Sequence, residues 1–449
     1  MIPLRLAELE QLLDCPASGR DVEIRSIVSD SRKAGAGALF AALPGERVDG
    51  HDFAASAVQA GAAALLVSRR LDIDAPQLVV DDVLVALGHI ARLVRERLDP
   101  VVVGITGSNG KTTVKEMLAG ILRLDGRVLA TEGNYNNELG LPLTLFRLQP
   151  KHRYAVLEMG ASKLHDIAYL AGIARPDVGL VNNIAPAHLE GFGSIEGVAR
   201  TKGEMYTVLP ADGCAVMNAD EPWGDLWRGM NTAGRILTFG VAADADVRVD
   251  ATTAGCRLTT RAGAFDIALP LPGRHNHLNA AAATAVALAL DIDMDIIRRG
   301  LEKVVPVPGR LNLLHTTAGW TVIDDSYNAN PASLYSALQV LASLPGERWL
   351  VLGDMKELGA GSRKMHREVG ENAAVMGVRR LFALGEMAAD AVDAFGPGGR
   401  HFANKQELAA ALRREIHSGV NCLVKGSRSM GMEDVVEALV RESDLREAG

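Results

Sequence analysis

The sequence predicts an α/β protein of three domains: a central parallel-sheet domain with a small antiparallel addition, flanked by a small N-terminal α/β domain and a C-terminal Rossmann-like α/β domain. Three observations carry that reading. The chain has 449 residues, more than one hydrophobic core usually serves. From Leu78 onward short β-branched runs alternate with helical stretches, the pattern of strand-helix-strand units that build a mostly parallel sheet. Finally, Val305-Pro306-Val307-Pro308-Gly309 is a stiff, helix-breaking segment, and a second strand-helix series begins after it. The domains are therefore expected at 1–82, 83–310 and 311–449.

In chain order, the runs at 22–28, 38–42, 63–67 and 77–80 read as strands of the first domain. The clearest buried strand of the chain, 101–106, leads through a glycine turn into a helix over 112–124, where Val114, Met117, Leu118, Ile121 and Leu122 recur at helical spacing. Further strands are expected at 127–130, 154–159, 178–184, 214–218 and 236–240. Between 246 and 270 the pattern changes to alternation, with Val247, Val249 and Ala251 and then Phe265, Ile267 and Leu269, which is the antiparallel addition. Helices resume over 276–290 and 294–304. In the last domain, strands at 321–325, 349–352, 381–384 and 422–424 are separated by helices starting at Ala332, Met365, Gln406 and Glu433.

Composition narrows the possible functions. A net charge of −8 and a pI near 5.8 give no global field toward nucleic acid or anionic lipid, so any anionic ligand must be held by local groups. Cys15, Cys214, Cys256 and Cys422 lie far apart with no C-x-x-C pair, which argues against a disulfide framework or a zinc site and fits a reducing cytoplasm. Residues 1–14 lack the basic start and apolar stretch of a signal peptide. The longest apolar run, 280–290, falls well short of the ~20 residues that span a bilayer. The expectation is a cytoplasmic monomer with no nucleic-acid partner and no membrane insertion.

Chemistry enters at residues 104–113, Gly104-Ile105-Thr106-Gly107-Ser108-Asn109-Gly110-Lys111-Thr112-Thr113, between the best strand and a strong helix. Amides exposed by glycines, together with the positive end of the helix, can cradle a triphosphate. Lys111 would neutralise the transferring phosphate and Thr112 would ligate magnesium, which makes the central unit a P-loop ATPase domain binding through Gly107, Ser108, Asn109, Gly110, Lys111, Thr112 and Thr113. One position departs from the general motif: Ile105 stands where it has glycine, and glycine is found at 104 and 107 instead. A generic glycine turn with a surface lysine is the alternative. GTP is disfavoured because the nearest approach to N/T-K-x-D, Thr201-Lys202-Gly203-Glu204, ends in glutamate.

A triphosphate needs a divalent cation, and magnesium prefers one or two carboxylates plus phosphate oxygens and water. Glu158 ends an apolar strand at the carboxyl edge of the sheet, where ligands of such folds bind, although a solvated strand end would look the same. His188 also follows a strand, but a lone histidine is usually structural. Lys202 is by default a surface cation. His275-Asn276-His277 lacks further ligands at zinc spacing.

At this point the motifs, taken together, resemble the ATP-dependent Mur ligases from the first domain to the last. They are Asp30-Ser31-Arg32-Lys33, Leu43-Pro44-Gly45-Glu46-Arg47 with Asp49-Gly50-His51, the phosphate loop, Asn134-Tyr135-Asn136-Asn137, Glu158-Met159-Gly160, the His188 loop, Asn218-Ala219-Asp220, Pro272-Gly273-Arg274-His275-Asn276 with Asn279, and Pro308-Gly309-Arg310. Asp325-Ser326-Tyr327-Asn328-Ala329-Asn330-Pro331, Gly353-Asp354-Met355 and Lys425-Gly426-Ser427-Arg428 point to the D-alanyl-D-alanine-adding branch. The shifted glycine of the phosphate loop is normal in that family.

The resemblance implies an amide ligase that joins UDP-N-acetylmuramoyl-tripeptide to D-alanyl-D-alanine with cleavage of ATP, through an acyl phosphate. It implies Thr112, Glu158, His188 and a carbamylated Lys202 as Mg2+ ligands, Arg310 on the phosphates, Asn279 on adenine and Asp325 on ribose. It further implies Ser31, Arg32, Gly45, His51, Asn134 and Asn137 on the UDP substrate, and Asp354, Lys425 and Arg428 in the dipeptide pocket. On the residues alone, Arg310 could be a linker salt bridge, Asp30-Ser31-Arg32 a polar turn, and Asn134 and Asn137 plain turn formers. The alternatives are a sister ligase taking another amino acid, a folylpolyglutamate-synthase-like ligase, a P-loop kinase and a nucleotide-switched binding module.

Overall fold

The computed structural model describes residues 1–16, 20–45, 48–252 and 255–440; Glu46 and Arg47 of the second motif lie outside the described residues. The first domain is a four-stranded parallel sheet of Ser26–Val28, Ala38–Ala41, Ala62–Val67 and Gln77–Val79, in that order across the sheet. The single strand expected at 22–28 is split in two. Glu23–Ile24 pairs antiparallel with Leu4–Arg5, and between the two pieces the Arg25 N–H turns to the Gly37 carbonyl at 2.7 Å.

The central sheet has nine strands. From one edge they run Gly263–Ile267, Gly255–Thr260, Val247–Thr252, Arg235–Gly240, Cys214–Asn218, Val178–Val181, Val101–Thr106, Tyr154–Glu158 and Val128–Ala130. The antiparallel addition is the edge of this same sheet, welded on by a short parallel pairing of Phe239 and Gly240 with Val247 and Arg248. Val101–Thr106 lies between two parallel neighbours, which is why its residues read as a continuous apolar run with no alternation.

Helix Lys111–Leu122 covers one face of the sheet, beside Arg274–Ala289 and Met294–Glu302. The apolar run at 280–290 is explained here: helix Arg274–Ala289 is enclosed between helix Lys111–Leu122 and the strands, so it is apolar nearly all round. Among the described residues no helix is long and apolar enough to cross a membrane. On the other face, helices Val83–Leu98, Gly140–Leu145 and Asp166–Ala174 share one core with the first domain.

The last domain is a six-stranded sheet ordered Asn312–His315, Thr321–Asp325, Val420–Lys425, Glu347–Gly353, Arg380–Leu384 and Gly399–Phe402, all parallel except the first pairing. Both outermost strands escaped the sequence reading. They are short, and His315, Arg400 and His401 on them are exposed, so neither presents the apolar run that marks a buried strand. Glu158, Asp325 and Lys425 each end a parallel strand, and the carboxyl ends of both large sheets border one cleft.

Candidate active site

The cleft encloses about 680 Å³ between the central and last domains. Its floor is the phosphate loop. Gly107 and Gly110 have φ of +152° and +79°, a backbone that side-chain-bearing residues rarely adopt. A Cβ at Gly110 would sit 2.4 Å from Asn279 Oδ1 and 2.6 Å from Asn182 Nδ2, so glycine is required there on two counts. Asn183 Oδ1 accepts from the Asn109 N–H at 2.8 Å, and the amides of Asn182 and Asn183 both donate to the Asn109 carbonyl at 3.0 Å. Asn182 Nδ2 also donates to Asn279 Oδ1 at 2.9 Å. The loop is thus held in shape by side chains of the neighbouring strand end and of helix Arg274–Ala289.

Lys111 Nζ donates to the Gly107 carbonyl at 2.8 Å, placing its charge at the mouth of the loop. Burial pushes its pKa down, Glu158 opposes that, and Arg310 adds to it. Thr112 Oγ1 donates to Glu158 Oε2 at 2.9 Å, and Asn136 Nδ2 donates to Glu158 Oε1 at 2.8 Å. Glu158 is only 2 % exposed, so the solvated strand end is ruled out and the carboxylate faces the loop. His188, at a left-handed φ of +53°, borders the same cleft and meets Glu357 of the last domain. Burial lowers its pKa, Glu357 opposes, and Lys111 and Lys202 lower it further.

Lys202 is 2 % exposed, with Nζ 5.8 Å from the Phe192 ring centre. It is not the surface cation of the default reading. Burial first, and then the charge of Lys111, hold its pKa well below the ordinary lysine value. A shift in this direction favours the neutral amine, the form that can add to carbon dioxide. For magnesium, the donor set fits: one buried carboxylate beside one hydroxyl, with His188 near, leaves room for phosphate oxygens and water. Among the described residues no group of three or more His, Cys, Asp or Glu side chains is gathered that could hold a metal ion.

The far wall comes from the last domain. Arg310 Cζ lies 4.1 Å from the Tyr327 ring centre and Arg428 Cζ 5.4 Å from it, so one ring carries two guanidinium groups into the cleft. Arg310 packs on this ring, and its charge opposes the upward shift of the Asp325 pKa. Asp325 and Lys425 form a buried pair: Lys425 Nζ donates to Asp325 Oδ2 at 2.5 Å and to the Asn328 carbonyl at 2.9 Å, and Asp325 Oδ1 accepts from the Leu311 N–H at 3.1 Å. Both line the cleft, but each is engaged by the other.

Other expected residues lie elsewhere. Asn134 and Asn137 border the cleft, Asn137 also accepting from the Gly140 N–H at 2.8 Å as a turn former would. Ser31, Arg32 and Gly45 do not border it; Arg32 is exposed and forked onto Asp30, which holds that carboxyl at about 2. His51 is 4 % exposed and has both ring nitrogens committed, Nδ1 to Asp49 at 2.6 Å and Nε2 accepting from the Ser68 N–H at 3.0 Å, so it is a satisfied core histidine with nothing left for a ligand. Asp354 is 1 % exposed and lies outside the cleft, accepting from Lys356 and from the Ala388 N–H at 2.7 and 2.8 Å; it anchors a loop to a helix start. Asn136, Asn182, Asn183, Tyr327 and Asn330 border the cleft and were not singled out from the sequence. Their motifs were visible, but asparagine beside a strand end reads first as a turn residue.

Three family models match consecutive stretches of the chain: the Mur ligase family catalytic domain over 23–105, the Mur ligase middle domain over 105–287, and the Mur ligase glutamate ligase domain over 309–428. The chain is 45 % identical to the UDP-N-acetylmuramoyl-tripeptide–D-alanyl-D-alanine ligase of Escherichia coli (strain K12), over 98 % of this chain and 99 % of that one. Among solved structures, a crystal structure of MurF from Acinetobacter baumannii matches with a TM-score of 0.91 at 34 % identity, covering 97 % of this chain and 98 % of its own. The MurF ligase from Thermotoga maritima in complex with ADP matches with a TM-score of 0.84 at 31 % identity, covering 92 % and 96 %.

Proposed function

The chain belongs to the Mur ligase family, and from that premise we propose that it joins D-alanyl-D-alanine to UDP-N-acetylmuramoyl-tripeptide, cleaving ATP to ADP and phosphate as the amide forms. The observation that carries the reading is the cleft. One wall holds the phosphate loop with Lys111, Thr112 and Glu158, the other holds Arg310 and Arg428 on Tyr327, and the space between is where a nucleotide's terminal phosphate would meet the acid and the amine. This reading keeps the domain limits at 82/83 and 310/311 and a monomer working in the cytoplasm.

The chemistry follows from the weakness of a carboxylate as an acyl donor. The tripeptide's terminal carboxylate attacks the γ-phosphorus, the bond to the ADP oxygen breaks, and an acyl phosphate forms. The dipeptide amine then adds to the carbonyl, and the tetrahedral intermediate expels phosphate. Protein work here is positioning and charge neutralisation. Lys111 and Arg310 meet the charge that moves onto the leaving ADP. Thr112, Glu158, His188 and carbamylated Lys202 would hold Mg2+, which lowers the repulsion between triphosphate and carboxylate. Carbamylation turns a cation that would repel the metal into an anion that attracts it.

Asn279 is assigned to adenine. Asp325 is assigned to ribose, which calls for it to accept there while its charge is shared with Lys425. Ser31, Arg32, Gly45, Asn134 and Asn137 are assigned to the nucleotide sugar, and Arg428 to the dipeptide, with Lys425 steadying Asp325. His51 and Asp354 are left to their structural partners. Phosphate release, measured with each of the diaminopimelate and lysine tripeptides crossed with D-alanyl-D-alanine or single amino acids, tests the reading. Release should require a tripeptide and the dipeptide together. Release with a single amino acid, or a stable phosphorylated product, would refute it.

A further inference from the structure

Asn330 stands at the start of helix Pro331–Ser343 in the last domain and does two jobs with one amide. Its Oδ1 accepts from the Ser333 N–H at 2.9 Å and its own N–H donates to Ser333 Oγ at 3.1 Å, a complete capping box with Pro331 at the first helical position. That leaves Nδ2, which donates at 2.7 Å to Asn109 Oδ1, a side chain of the phosphate loop 221 residues away in sequence. The Asn330 donor is fixed, because the cap decides which end of the amide faces the helix. The Asn109 backbone is fixed as well: its N–H goes to Asn183 Oδ1, and its carbonyl takes both neighbouring asparagine amides. A bond from a fixed donor to a side chain on an anchored loop is sensitive to the separation of the domains that carry them.

We infer that the bond from Asn330 Nδ2 to Asn109 Oδ1 is a latch that couples docking of the last domain to the working shape of the phosphate loop, making Asn330 a positioning residue for phosphoryl transfer. Resting on the ligase reading, it adds how the chain makes the first chemical step wait for the domain that brings the amine. The acyl phosphate is prone to hydrolysis, so forming it only under a docked last domain protects it. Asn330 touches no reacting atom and works through Asn109.

Asn330→Ser separates the two jobs. Serine caps a helix as well as asparagine does and brings no charge to the phosphate site, but it has no amide donor to reach Asn109 Oδ1. The expected result is an unchanged Tm, a KM for ATP within about twofold of wild type, and a kcat lowered about tenfold, the size of one lost net hydrogen bond. Asn109→Ala should lower kcat similarly, and the double variant should be no slower than the slower single one, because both remove the same bond. Small-angle scattering of the ADP-bound proteins should show a larger radius of gyration for Asn330→Ser than for wild type. That readout does not depend on which reaction is catalysed, so it still decides the latch if the ligase assay gives no turnover. Wild-type compactness in Asn330→Ser, losses that multiply in the double variant, or a kcat loss that only tracks a fallen Tm would each overturn the latch.

Discussion

Replacing Lys425 by methionine should be far more damaging than replacing both Lys425 and Asp325 by neutral residues. The pair is nearly sealed, with side chains 3 % and 13 % exposed and Nζ 2.5 Å from Oδ2. Burial pushes Asp325 up and Lys425 down in pKa, and each charge opposes the shift of the other. Lys425→Met removes the opposing charge and leaves a buried carboxylate, which costs about 3–5 kcal/mol. For a unit the size of the last domain that is a fall in Tm of about 6–20 °C. Asp325→Asn with Lys425→Met keeps an acceptor for the Leu311 N–H and buries no charge, so its Tm should return to within about 3 °C of wild type, while ligation stays lost.

The pH sign can be worked out as well. In Lys425→Met the folded pKa of Asp325 lies above its unfolded value, so the folded state binds the extra proton. The damage is therefore relieved below the unfolded carboxylate range and is complete once the pH has risen through the folded pKa. Calorimetry at pH 5 and pH 8 should show the larger deficit at pH 8. A single variant as stable as wild type, or a double variant as unstable as the single, would refute the account of the pair as a matched buried charge.

Lys202→Ala should lose most activity and regain part of it in added short carboxylates, which replace the carbamate's oxygens; full activity without them would remove the carbamate role. Gly110→Ala must hold a side chain at φ +79° with its Cβ 2.4 Å from Asn279 Oδ1, so ADP affinity measured by calorimetry should fall about tenfold or more. Wild-type affinity would show that the asparagine cradle does not set the loop. Small-angle scattering should show the protein compacting when ATP and the nucleotide sugar are both present, and no change would count against closure over the acyl phosphate.

What could be read in advance followed how local its cause is. The strand at 101–106 and its helix were legible because burial on both faces of a parallel strand, and a 3.6-residue repeat after it, are written in adjacent residues. Glu158 and Thr112 could be paired because each sits at a defined end of such an element. Asn312–His315 and Gly399–Phe402, edge strands with exposed charged or histidine side chains, carry no such mark and were missed. His51 and Asp354 mark a different limit. A histidine or carboxylate in a polar motif reads the same whether it meets a ligand or its own backbone, and only partners such as the Ser68 and Ala388 N–H groups decide between them.

The network among the cleft's asparagines was opaque for the strongest reason, although Asn109 and Asn279 had been expected on ATP. Asn109, Asn182, Asn183, Asn279 and Asn330 come from four places in the chain, and they are linked to one another by hydrogen bonds. An amide carries both donor and acceptor without charge, so such a set can hold a phosphate loop rigid without adding anions that would repel the triphosphate. Aspartates could make the same acceptor contacts but would bring negative charge to the phosphate site, and lysines would compete with Lys111. Uncharged amides are what a loop meant for a highly charged ligand requires, and that requirement is visible only once the folded chain brings the five together.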